Sequence, residues 1–157
     1  MMMSQTDRNC VDELGPSSTR GRKIERLQVG AHLVELEQPD TFVVRFSGNV
    51  DGGDVSRVLD VFEGFATGRG RAYLLIDLSD LGQVTPEARR VSGMRQLPPE
   101  YAGLSLFGGT FEQQLMAKLA TMAGWLLRGR FLGKPMPVCV KLEREARAWV
   151  AAQKARS

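Results

Sequence analysis

One histidine, His32, is all that 157 residues provide, and cysteine numbers only two. That scarcity removes most bond-making chemistry. A Ser-His-Asp arrangement would need His32 to reach a serine that no motif nominates. His32 falls in a predicted edge strand and reads as a solvent-facing residue. Cys10, Cys139 and His32 lack zinc-site spacing. Cys10 sits in a polar tail and Cys139 in an apolar strand, so no disulfide is implied and a reducing cytoplasm suits the chain. The opening residues, MMMSQTDRNCVDELGPSSTRGRK, hold no apolar h-region, so no secretory signal is expected there. No stretch reaches the roughly 20 apolar residues of a membrane span. Asp77 and Asp80 are close together, but no ligand cluster joins them, so no metal is expected. Gly108-Gly109 lacks the P-loop lysine and the dinucleotide glycine pattern, which leaves close packing of a turn. No catalytic residue and no cofactor is expected: the chain reads as a non-enzyme.

What is present is an ordinary globular composition, 43% hydrophobic and 25% charged residues. A chain of this length forms one domain that buries roughly two-thirds of its unfolded surface. The formal net charge of +3 is unevenly spread: residues 1–114 hold 12 Lys/Arg against 16 Asp/Glu, and residues 115–157 hold 9 against 2. That basic end is either a solvated helix face or a contact surface for an acidic partner or an anionic membrane surface. Arg20-Gly21-Arg22-Lys23 is too short to imply specific nucleic-acid binding.

Residues 1–28 show no sustained periodicity and read as a disordered polar leader; residues 29–157 read as the folded domain. His32–Leu36 and Thr41–Phe46 alternate around Gln38-Pro39-Asp40, a β-hairpin. Val55, Val58, Leu59, Phe62 and Phe65 mark one face of a helix opened by the Asn49–Asp54 segment. The run Tyr73-Leu74-Leu75-Ile76 ends in Asp77-Leu78-Ser79, a strand; after a short loop, Thr85 caps a helix with Pro86 at its first position. Leu104–Phe107 is the next strand, and Thr110-Phe111-Glu112-Gln113 has capping-box spacing. The helix beyond it is the most apolar of the chain, with Phe111, Leu115, Met116, Leu119, Met122 and Leu126 at helical spacing. Pro137–Val140 is a last short strand, and Ala146, Trp149 and Val150 mark a last helix. This order predicts an α/β fold: a mostly parallel sheet of four to five strands, one antiparallel edge strand, and about four helices. The turns after Leu78 and Phe107 should then share the carboxyl rim of the sheet, where ligands bind in such folds.

Three segments, YLLIDLSDLGQVTPEARR, LFGGTFEQQLMAKLATMAGWLLRGR and EREARAWV, give the chain a family likeness. Over residues 30–155 it resembles the STAS fold of anti-anti-sigma factors. More closely, it is similar to the SpoIIAA-like group, whose architecture is also similar to CRAL-TRIO lipid-carrier domains. Signalling members of the wider family carry an Asp-Ser-Ser-Gly motif whose serine a partner kinase phosphorylates. Laid over this chain, the motif falls on Thr85, Pro86, Glu87 and Ala88. Glu87 stands where the modified serine would be, and an acidic residue there also suits a helix's first turn. Thr85 keeps a hydroxyl and is the candidate phosphosite, in competition with its role as cap.

The expected function is the first of two readings, with the second as its alternative. The resemblance to anti-anti-sigma factors implies a regulatory protein-interaction module docking a protein partner through Asp77, Ser79, Thr85, Glu87, Arg89 and Arg90. The resemblance to CRAL-TRIO domains implies a carrier or sensor of a small apolar ligand or lipid. Phe107, Phe111, Leu115, Met122 and Trp125 would then supply an apolar cleft or an interface, the latter with a second copy of the chain included. Such a stripe is ordinarily core.

Overall fold

The computed structural model describes residues 23–129 and 133–156. Six strands form one sheet in chain order: β1 (Ile24–Val29), β2 (His32–Glu37), β3 (Thr41–Val50), β4 (Ala72–Val84), β5 (Tyr101–Phe107) and β6 (Val138–Val140). β1, β2 and β3 pair antiparallel, while β3, β4, β5 and β6 pair parallel. The sheet is therefore mixed and has more strands than expected. The addition is β1, whose residues 24–28 fall within the expected leader and are strand instead. Cys10 and the rest of the leader lie outside the described residues.

Three helices connect the parallel strands, α1 (Gly52–Ala66), α2 (Pro86–Met94) and α3 (Phe111–Gly124), with a wider π-type turn at Trp125–Gly129 continuing α3, and a fourth, α4 (Glu143–Arg156), follows β6. The helix starts are built locally. Asp51 and Asp54 form a reciprocal capping box on α1, Thr110 and Gln113 form another on α3, and the Thr85 hydroxyl accepts from the Ala88 N–H ahead of Pro86 on α2. Each satisfies amides that the first turn leaves without intrahelical partners.

The alternation of strand side chains divides the core into two layers. Val34, Phe42, Val44, Leu74 and Leu104 face α1, whose Val58, Phe62 and Phe65 close over them. Val43, Tyr73, Leu75 and Phe107 face the opposite way, against Ala146, Trp149 and Val150 of α4. α2 joins the first layer through Ala88 and Val91, packed with Val55 and Leu59 of α1.

α4 is also pinned by charge. Arg45 donates to Asp77 at 2.9 Å and to Glu35 and Glu143 at 3.1 Å. Arg147 binds Glu37 through both terminal nitrogens, at 2.8 and 2.7 Å, and Lys154 reaches Asp40 at 2.8 Å. Two of the basic residues near the chain's end thus staple the helix to the hairpin. Burial alone would raise the Asp77 carboxyl, but hydrogen bonds from Ser79 and Arg45 outweigh it, holding the group below the usual carboxylate value. Glu143 is likewise lowered: burial opposes, and Arg45 and Arg147 prevail.

His32 is 1% exposed, not solvent-facing. Its Nδ1 accepts from the Ser47 N–H at 3.0 Å, so the ring proton sits on Nε2, 3.4 Å from an Asp54 oxygen. The edge is occupied by β1, which places β2 one strand inward, and the imidazole is enclosed by Phe46, Ser47 and Asp54.

Candidate functional site

β4 and β5 run side by side until Asp77 aligns with Phe107, so the segments that follow them meet at one rim. Gly108 and Gly109 make the turn there, with φ of 78° and 77°. A Cβ on Gly108 would lie 2.5 Å from the Ser79 hydroxyl, and one on Gly109 would lie 3.0 Å from the Leu78 carbonyl oxygen. The pair is a packing device between the two strand ends. From this rim α3 runs back across the sheet, with Gln113 donating to the Leu81 carbonyl at 2.7 Å and Trp125, at the far end, donating to the Lys134 carbonyl at 2.8 Å.

Beneath α3 lies a cleft of about 810 Å³, within the span of small-molecule sites, roughly 300–1,000 Å³. Its floor is the sheet: Val44, Leu74, Ile76, Leu104 and Leu106. Its roof is Ala117, Ala120, Thr121 and Gly124 of α3, with Arg89 and Ser92 of α2 beside them. Polar groups gather at the ends, Gln83, Thr110 and Gln113 toward the rim and Gln96 and Lys134 toward Trp125. The roof explains the cleft. Positions 117, 120, 121 and 124 recur at helical spacing and carry only Ala, Thr and Gly, side chains too short to reach the floor.

Apart from Met116, which borders the cleft, the large apolar residues within α3 lie on its other face. Phe111 is 77% exposed, Leu119 63% and Leu115 47%, and within the helix only Gly124 is buried. The stripe that looked like core is surface. Of the five residues picked for an apolar site, Trp125 alone lines the cleft; Phe107 is buried against α4 on the opposite face of the sheet, and Phe111, Leu115 and Met122 do not line it. The residues that do line it, such as Ala117, Ala120 and Ser92, carry a legible signal: two neighbouring helices, each with a face of small residues. α2 and α3 approach closely at Gly93, where a Cβ would meet the Ala120 carbonyl oxygen at 3.3 Å.

The six polar candidates do not share one surface. The Asp77 carboxylate takes the Ser79 N–H and Arg45, on the α4 side. Ser79 is exposed at the rim, and Thr85 spends its hydroxyl oxygen on the α2 cap at 3.1 Å. Glu87 pairs with Arg90 at 2.9 Å in solvent. Arg89 turns inward, donating from Nη1 to the Val84 carbonyl at 2.9 Å and toward the Met116 sulfur at 3.4 Å. Among the described residues, no group of His, Cys, Asp and Glu side chains converges as a metal site. Cys139 is a free, half-buried thiol whose pKa burial raises. No helix among the described residues is long and apolar enough to cross a membrane.

No protein-family model matches the chain, and no curated protein does. Among solved structures, it is similar to an uncharacterised protein of the DUF3478 family from Shewanella loihica PV-4, described as having a SpoIIAA-like fold. The identity is 16%, the match covers 86% of this chain and 98% of that one, and the TM-score is 0.44.

Proposed function

We propose that the chain is a non-catalytic binding module whose ligand is a small apolar molecule held between α3 and the sheet. The cleft carries this reading: an apolar floor, a roof of short side chains, and few polar groups, most of them toward the two ends. Methionine at Met116 suits such a site, because an unbranched thioether adapts to varied shapes. The experiment is native mass spectrometry of protein purified from cells. Added mass of a small molecule, removed by organic extraction and missing in Ala120→Trp, supports the reading; repeated recovery of bare protein from the wild type refutes it.

A second reading, the regulatory interaction module, is favoured by the exposed apolar face that α2 and α3 share. Met94 and Leu127 there are 62% and 63% exposed, and Arg90 and Leu119 line the same shallow groove. Contiguous apolar surface of this kind marks interaction sites. Co-purification of a partner with the wild type but not with Leu119→Glu would support it, and partner recovery unchanged by that substitution would count against it.

A further inference from the structure

We infer that the ligand of the cleft is an anionic single-chain amphiphile, a long-chain carboxylate in chemical class, whose head group is held by Arg89. This rests on the proposed apolar-ligand reading and adds the head-group chemistry and its anchor.

Three charged groups lie on the lining: Arg89, Glu112 and Lys134. Glu112 is exposed on the first turn of α3, where it complements the helix dipole, and it makes no ion pair with Arg89. Lys134 sits at the end by Trp125 and donates to the Pro99 carbonyl at 2.9 Å. Arg89 differs from the arginines that hold this fold together. Arg45, Arg95 and Arg147 each bind carboxylates, whereas Arg89 has none among the described residues. Only its Nη1 is engaged, by a carbonyl and a sulfur. Nε and Nη2 keep three N–H donors without a protein acceptor among the described residues.

A half-buried guanidinium between two helices, with Met116 on one side and an apolar cleft on the other, is under-partnered. A carboxylate arriving from the cleft would accept two parallel N–H bonds from that fork. The chain behind such a head would lie on Ile76, Leu74 and Leu104, running from the rim toward Trp125. The cleft offers its one long apolar floor in that direction. A neutral amphiphile would gain the floor but not the fork. A cationic one would meet Arg89 as a like charge.

Equilibrium dialysis with dodecanoate and dodecan-1-ol, below their solubility limits, separates the two layers of the claim. The alcohol reports the apolar cleft alone; the preference for the acid reports Arg89. The wild type should bind both, with the acid tighter by about tenfold or more, as expected of a charge-assisted pair. Arg89→Gln should erase that preference, bringing the acid down to the affinity of the alcohol, and Lys134→Met should retain it. Alcohol binding without acid preference in the wild type overturns the head-group inference but not the cleft. Preference surviving in Arg89→Gln, or lost in Lys134→Met instead, overturns the anchor. Failure of both probes to bind overturns the apolar-ligand reading and this inference together.

Discussion

Arg45 is the residue on which the α4 side of the molecule turns. It is 27% exposed and bonded to Glu35, Asp77 and Glu143, three carboxylates from three different elements. Removing one member of such a group leaves the others facing each other with little solvent. Arg45→Met should therefore lower unfolding stability by about 2–3 kcal/mol, less than for a fully buried pair because water reaches part of the network. The pH dependence follows in sign. The folded-state pKa values of Asp77 and Glu143 lie below their ordinary values of 3.8 and 4.5. Their contribution is fully present above those values and is lost as the pH falls through the lowered ones. Urea melts of wild type and Arg45→Met should differ by a constant amount near neutrality and converge below about pH 4. A gap that widens on acidification would contradict this ion network. None of these pairs was legible beforehand, because charges far apart in sequence gain partners only through the sheet register. The same holds for His32, whose burial against Phe46, Ser47 and Asp54 depends on how β2, β3 and α1 pack.

At the scale of elements, what is set locally was readable and what is set by packing was not. Caps at Thr85 and Thr110 and the strand at Tyr73 announce themselves, since cap chemistry and apolar runs act within a few residues. β1 does not: Ile24–Val29 is an edge strand whose solvated residues dilute the alternation. The far end of β4, where Asp80 and Gly82 disfavour strands, is strand rather than the expected loop. It is held there by β3, including the Asn49 side-chain oxygen accepting from the Gln83 N–H at 2.9 Å. α3 is the instructive case. Its periodicity offers two opposite faces, one of large apolar residues and one of Ala, Thr and Gly. Hydrophobicity alone turns the large face inward, whereas close approach to α2 at Gly93 requires the small one. Substitution distinguishes them. Leu119→Glu should change stability by less than about 0.5 kcal/mol, as for any exposed site. Were Leu119 core, the loss would be several kcal/mol, in the range of buried large side chains. Chemical denaturation of the variant decides between the two.

At the scale of the whole molecule, one sheet carries two unlike faces. The α4 face is closed by Tyr73, Leu75 and Phe107 and locked by ion pairs; the other is closed by α1 over β2 and β3 but left open under α3. The parallel winding that brings Asp77 beside Phe107 also sets where α3 starts, and the small-residue roof sets how much space remains beneath it. The most direct measurement is a methyl-resolved NMR titration of the full chain with dodecan-1-ol. Saturable shifts are expected at Ile76, Leu104 and Leu106 on the floor, with Val43 and Leu75 on the reverse face unmoved. Shifts confined to Leu115, Leu119 and Leu126, or none that saturate, would contradict an apolar cleft between α3 and the sheet.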